Sequence, residues 1–206
     1  MIILGVDTSL RSTGYGVVEV EGNRFRALEW GNIPNAASKP LGECILAIYD
    51  KISALIERWA PDAASIEKVI YGKNANTMLL LGEARGAVIA AIAKSKIEIF
   101  EYEPRRVKMA VCGNGMAEKY QIQRMVKTLL KLDEIPQNDA ADALALAICH
   151  ANALSLPLLA KNIAGSKSRS KGDLLASLVA AQTKSGAKRS AFATISLAEL
   201  KEMRRK

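Results

Sequence analysis

Ile2-Ile3-Leu4-Gly5-Val6-Asp7 is a nearly unbroken apolar run closed by a carboxylate, and its reading decides the fold. A strand with one wet face alternates apolar and polar residues, whereas Ile2 to Val6 is apolar on both sides of the pleat. That is the composition of a central strand covered on both faces. The run ends at Asp7, so a charged group stands where the buried strand emerges.

The sequence downstream supplies the neighbours such a strand needs. Gly14 to Val20 and Arg26 to Ile33 read as two further strands joined through the turn signal Glu21-Gly22-Asn23, which makes the opening an antiparallel meander. Leu41, Ile45, Ile48, Ile52, Leu55 or Ile56, and Trp59 recur at helical spacing, predicting an amphipathic helix stopped near Pro61. Ala63 to Glu67 is a short strand. Residues 74 to 95 form an Ala- and Gly-rich helix whose Gly82 and Gly86 lie one turn apart and permit close packing. Ile97 to Tyr102 is the fifth strand, residues 117 to 132 a polar-faced helix, and Ala140 to Leu154 an Ala/Leu helix starting after Pro136. This order predicts an α/β fold, a mixed five-stranded sheet flanked by helices, over residues 1 to 154.

The chain of 206 residues suits one domain with an appendage. Acids and bases balance over residues 1 to 154, so the whole net charge of +8 lies in residues 155 to 206. That segment, rich in Lys, Ser, Gly and Ala, reads as a basic, flexible C-terminal extension, with short helices conceivable at Asp173 to Gln182 and Ser196 to Glu199. It can grip phosphate or dock a partner, or simply remain solvated.

Cys44, Cys112 and Cys149 lack metal-ligand spacing and suit free thiols in a reducing compartment. With His150 the only histidine, a zinc site or a Ser-His-Asp triad is disfavoured. The N-terminus does not read as a signal peptide, and no apolar run is expected to approach a membrane span, so the expected location is cytoplasmic with no membrane partner.

Asp7 and Glu67 each close an apolar strand, which can bring both carboxylates to one sheet edge. Asp139 and Asp142, three apart, share a helix face in its first turn. Each acid alone also fits a structural role, and the Asp139/Asp142 pair fits helix capping. Together, four carboxylates converging at one end of the fold would raise one another's pKa and need a cation between them. An all-oxygen donor set suits Mg²⁺ or Mn²⁺, and two such ions roughly 3.5 to 4 Å apart can activate water and stabilise the leaving oxygen in phosphodiester hydrolysis.

Several stretches, in order, resemble the RuvC family of Holliday-junction resolvases: Ile3-Leu4-Gly5-Val6-Asp7 with Thr13-Gly14-Tyr15-Gly16; Ile66-Glu67-Lys68-Val69; Lys73-Asn74-Ala75 with Leu81-Gly82-Glu83-Ala84-Arg85-Gly86; and Phe100-Glu101-Tyr102. Val107-Lys108, Ala117-Glu118-Lys119, Met125-Val126 and Asp139-Ala140-Ala141-Asp142-Ala143-Leu144-Ala145 continue the likeness. The resemblance implies a ribonuclease H-like fold, with Asp7, Glu67, Asp139 and Asp142 as a catalytic, metal-binding tetrad. It further implies a homodimer that cuts two strands of a four-way DNA junction symmetrically, with the helix bearing Gly82 and Gly86 at the dimer contact. Two-fold symmetry of junction and enzyme would match. Lys108 and Lys119 fall at family positions near the scissile phosphate, and Lys73 lies in a matching stretch. Arg105 and Arg106, and the helical set Arg124, Lys127 and Lys131, can extend a phosphate track or simply be solvated. The RuvA/RuvB branch-migration machinery is the partner implied by analogy.

Two departures stand out. Asp7-Thr8-Ser9 replaces the family's Asp-Pro-Gly, removing a rigid residue and a glycine from the loop after the acid. Ile70 stands where relatives carry an aromatic; the adjacent Tyr71 can take over stacking on bases. A junction-binding scaffold without cleavage is one alternative. An ATP-binding protein of the sugar-kinase and chaperone ATPase superfamily is another, suggested by Gly5-Val6-Asp7 with Thr13-Gly14-Tyr15-Gly16, but no Asp-x-Gly-Gly loop follows. His150, about 12 Å along a helix from Asp142, reads as structural.

Overall fold

The computed structural model describes residues 1–22, 24–69 and 74–164, with side chains through residue 154. Strand β1 (Ile2–Asp7) takes the centre of a five-stranded sheet because both of its faces are apolar, and Ile3, Leu4 and Val6 are fully buried. Strands β2 (Ser12–Glu21) and β3 (Arg24–Pro34) form the antiparallel meander on one side. On the other side β4 (Ala63–Glu67) and β5 (Glu98–Tyr102) run parallel to β1, giving the order β3-β2-β1-β4-β5.

Parity along the strands sorts the two faces. Leu4, Val6, Tyr15, Val17 and Ile66 point to one face, covered by α1 (Leu41–Trp59) and α2 (Ala75–Lys94). In α1 the buried residues Cys44, Ile48, Ile52, Leu55 and Ile56 follow the predicted stripe, and the helix stops at a left-handed Ala60 just before Pro61. Ile3 and Val18 point to the opposite face, covered by α3 (Pro104–Cys112), α4 (Lys119–Leu130) and α5 (Asn138–Ala164).

Three differences from the sequence-based expectation matter. Helix α3 was not expected: its nine residues are too few for a persuasive period, yet Pro104 at its start and left-handed Gly113 at its end are the usual boundary signals. Helix α5 extends to Ala164, beyond the expected end at Leu154, so the boundary drawn at residue 155 falls inside a helix. Helix α2 does reach the length and composition of a membrane span, with mean hydropathy 1.2, contrary to the expectation that no run would. Its inner face, including Ala84, Val88 and Ile92, is nonetheless buried in the α1-side core, and Glu83 and Arg85 interrupt the apolar sequence. The conceivable helices at Asp173 to Gln182 and Ser196 to Glu199 lie outside the described residues.

The face toward α5 carries an unusual seam. Gly5 and Gly16 are paired across β1 and β2, and Gly14 is opposite Asp7. A Cβ on Gly5 would stand 2.0 Å from the Ala143 carbonyl oxygen, and one on Gly14 would stand 2.0 Å from that of Asp139. Helix backbone therefore rests directly on strand backbone, an approach that only glycine allows. The α5 side contributes small residues too: Ala140, Ala143 and Ala147 are buried.

Candidate active site

Asp7 ends β1 and Glu67 ends β4, and these strands are parallel neighbours with Val6 beside Ile66. Both acids share the strand parity of the α5-facing residues, so both carboxylates reach the same face at the same sheet edge. Close packing on the glycine seam brings the start of α5, with Asp139 in its first turn and Asp142 just beyond, over that edge. All four acids of the predicted tetrad thus meet electrostatically. Burial, then the negative charges of Asp142, Glu67 and Asp139, push the Asp7 carboxyl up to about 7, against the pull of Lys119. Glu67 is raised by burial and by Asp142, with Lys119 and Lys108 opposing. Asp142 is raised chiefly by burial, and Asp139 adds to this while Lys119 and Lys108 oppose it.

The acids are coupled without being in ligand contact. Among the described residues, no three Asp, Glu, His or Cys side chains are drawn together closely enough to hold one ion. Coulombic influence reaches farther than coordination, so the two facts agree. Asp139 is turned toward the antiparallel half of the sheet: the Ser12 hydroxyl donates a short hydrogen bond to its Oδ2, and Asn32 Nδ2 donates to the same oxygen at 3.0 Å.

Two of the expected DNA-binding residues face the acids. Lys119 opens α4, where the Glu118 amide donates to the Gln121 side chain at 2.9 Å and fixes the start of the helix. Lys108, in α3, acts on Glu67 and Asp142. Arg105 is exposed in the first turn of α3, packed over Gly115, and Arg106 stacks on the Tyr102 ring at 5.2 Å. Tyr71 and Lys73, together with Ile70, lie outside the described residues.

The altered loop after Asp7 is closed by its own chemistry. Thr13 Oγ1 donates to the Ser9 carbonyl at 2.5 Å and accepts from the Ser9 amide at 3.4 Å, while Leu10 is buried beneath. No residue from Thr8 to Arg11 adopts positive φ, so the backbone here does not require the missing glycine. His150 has the structural place expected of it. It is buried, its Nδ1 is 2.7 Å from the Tyr102 hydroxyl, and its ring lies 4.2 Å from that of Phe100. Cys44, Cys112 and Cys149 are free thiols.

Sequence reasoning missed three residues that shape the site. Ser12 and Asn32 grip Asp139. Arg85, largely buried, donates from α2 to the Glu67 carbonyl at 2.9 Å and to Glu101 at 2.7 Å, tying down the end of β4. A polar residue two positions before Gly14, on the seam's own face, was the available signal for Ser12. Asn32 carried no comparable signal, because its position opposite Gly14 depends on strand register.

A mixed sheet whose parallel strand ends carry acids, facing a helix that presents two more, is a ribonuclease H-like architecture with a carboxylate site. The model of the family described as crossover junction endodeoxyribonuclease RuvC matches residues 3–150, and the chain belongs to that family. It is 47% identical over 163 residues to the crossover junction endodeoxyribonuclease RuvC of Ruminiclostridium cellulolyticum, covering 79% of this chain and 98% of that protein. With the protein of the same name from Alkaliphilus oremlandii the identity is 46% over 153 residues, covering 74% and 93%. Among solved structures, Thermus thermophilus RuvC superimposes with a TM-score of 0.70 at 30% identity, over 76% of this chain and 97% of that one. The T. thermophilus RuvC in complex with Holliday junction substrate gives 0.70 at 31% identity, over 73% and 93%.

Proposed function

We propose that this protein is a crossover junction endodeoxyribonuclease that resolves four-way DNA junctions, with Asp7, Glu67, Asp139 and Asp142 as its divalent-metal ligands. Family membership supports the activity, and one observation carries the site: four carboxylates from three separate elements gather at a single sheet edge, where burial first and then the charges of the other three acids lift Asp7 to about 7. Such a cluster costs stability unless a cation offsets it, and its donors are all hard oxygens, which fit Mg²⁺, or Mn²⁺ in its place. Two bound ions would supply an activated water and neutralise the departing 3′ oxygen.

The rest falls to the chain's own groups. The rigid end of the β1/β4 pair orients Asp7 and Glu67, and the first two turns of α5 carry Asp139 and Asp142. Lys119 and Lys108 hold the scissile phosphate by charge and draw DNA toward an otherwise anionic site. Arg105 and Lys73 extend the phosphate grip, and Tyr71 stacks on bases at the opened crossover. Because a junction has two equivalent strands to cut, the working form is a homodimer. The outward side of α2 suits that contact: Leu79 is exposed and the space above Gly82 and Gly86 is open. RuvA and RuvB, which drive branch migration, are the fitting cellular partners in the cytoplasm.

Wild-type protein and Asp7→Asn, each incubated with a synthetic four-way junction and a linear duplex, test the reading. We expect paired symmetric nicks in the junction with Mg²⁺, none with chelator, and none from the variant. In chelator at pH 8, Asp7→Asn should melt higher than wild type. The sign follows from a folded-state pKa above the unfolded 3.8, which makes stability fall as pH rises from about 4 to about 7 and leaves the penalty in place above that. Mg²⁺ should then raise the melting temperature of wild type and leave that of the variant unchanged. Equal cutting of the duplex would refute junction selectivity, and metal-independent nicking would refute the ligand assignment.

A further inference from the structure

Asp139 differs from the other three acids in having one oxygen already engaged. Its Oδ2 accepts from the Ser12 hydroxyl and from Asn32 Nδ2 at 3.0 Å, and the same Nδ2 also donates to Ser12 Oγ at 2.9 Å, one N–H being shared between the two adjacent oxygens. The three side chains therefore form a closed triangle in which every bond reinforces the next. The hydroxyl cannot turn away without losing the amide, nor the amide without losing both acceptors. Backbone geometry holds the triangle from beneath: Asn32 is paired with Gly14, and the empty Cβ position of Gly14 admits the Asp139 carbonyl.

Asn32 gives something up in this arrangement. Its Oδ1 is buried and has no hydrogen-bond partner among the described residues. A buried amide that leaves its acceptor unsatisfied while its Nδ2 serves one carboxylate and that carboxylate's hydroxyl partner contributes orientation at a cost that an apolar residue of similar size would avoid.

We propose that Ser12 and Asn32 are positioning residues of the nuclease site: they occupy Asp139 Oδ2 and so present Asp139 to metal through Oδ1 alone, in one fixed rotamer. Neither residue touches the reacting phosphate. The antiparallel strands β2 and β3, which carry none of the four acids, thereby take part in the site by setting the bite of the carboxylate that α5 brings in. Hydrogen bonds of this kind fix ligand orientation at metal centres generally, and their removal typically weakens metal affinity or activity by about 10- to 100-fold.

The inference rests on the reading of Asp139 as a metal ligand, and the test separates the two. Mn²⁺ affinity is measured without DNA for wild type, Ser12→Ala, Ser12→Thr, Asn32→Ala and Asp139→Asn, alongside melting temperature in chelator and the kcat and KM of junction cleavage. The proposal expects Ser12→Ala and Asn32→Ala to weaken Mn²⁺ binding roughly 10-fold or more and to lower kcat with KM nearly unchanged. Ser12→Thr, which keeps the hydroxyl, should restore both. If Asp139→Asn leaves Mn²⁺ affinity intact, the ligand assignment itself fails. If Asp139→Asn abolishes binding while Ser12→Ala and Asn32→Ala, folded at the assay temperature, bind and cut like wild type, the positioning role alone is overturned. A loss in Ser12→Ala that Ser12→Thr fails to recover also overturns it. Should Asn32→Ala not fold, the Ser12 pair decides the matter.

Discussion

Gly5→Ala tests the link between the glycine seam and catalysis. The new Cβ would lie 2.0 Å from the Ala143 carbonyl oxygen, 3.0 Å from its carbonyl carbon and 3.0 Å from the Ala147 amide nitrogen. None of these is a side chain that can rotate aside, so α5 must retreat from β1 by about 1.4 Å to reach even the short end of ordinary contact. Overpacking of this kind costs about 1 to 3 kcal/mol, and a backbone obstacle belongs at the upper end. At roughly 2 to 4 °C per kcal/mol for a chain of this size, a cost of about 3 kcal/mol lowers the melting temperature by about 6 to 12 °C. The same retreat carries Asp139 and Asp142 away from Asp7 and Glu67, and a misplacement of about 1 Å can cost about 100-fold in rate. Melting in chelator and junction cleavage at 25 °C, where the variant remains folded, read the two effects separately. Gly42→Ala is the control, since open space surrounds it in the first turn of α1 and alanine favours helix there. A Gly5→Ala protein that melts within 2 °C of Gly42→Ala and cuts at the wild-type rate would refute the idea that backbone contact sets the acids.

Two further expectations concern groups away from the acids. Burial lowers the pKa of His150 below its usual 6.5, so the neutral ring is favoured in the folded state. Above pH 6.5 it adds no pH dependence; below, the unfolded chain takes the proton first, and stability drops by at most about 1.4 kcal/mol per pH unit until the folded pKa is passed. Asp7 acts in the opposite sense between about pH 7 and 4, so urea midpoints at pH 7.5 and 5.5 should be compared between wild type and His150→Gln. An identical pH dependence in the two proteins would contradict a neutral buried His150. Arg124 and Lys127 of α4 and Lys131 at its left-handed C-terminal cap line a groove with Tyr120 and Ile135. If this groove carries a junction arm, Lys127→Ala with Lys131→Ala should reduce the slope of log affinity against log salt by about 2, and an unchanged slope would make it a solvated face.

Much of the architecture follows from local pattern. The apolar run before Asp7, the meander after it and the stripe of α1 each express one periodicity, whereas the shared face of Asp7 and Glu67 depends on the register that sets Val6 beside Ile66. Helix α3 is not legible in the sequence because nine residues hold too few turns to display a period, and Arg105-Arg106-Val107-Lys108 after Pro104 reads as a cationic run. The grip on Asp139 is hidden for a different reason. Ser12 and Asn32 lie more than 100 residues before it, 127 and 107 positions away. Their meeting depends on the β2/β3 register and on how deeply α5 settles, neither of which is written in the neighbourhood of any of the three. Arg85 similarly looks like one charge on an Ala-rich helix until the end of β4 is placed beneath it.

The order in which the acids occur along the chain has a consequence for synthesis. Asp7 and Glu67 belong to β1 and β4, whose pairing spans the whole of β2, β3 and α1, while Asp139 and Asp142 arrive only with α5. A ribosome-bound chain shorter than about 150 residues lacks the last pair or cannot yet seat it, and contacts so distant in sequence are slow to form. With the proposed ligand set, cutting power is therefore withheld until α5 has been made and seated.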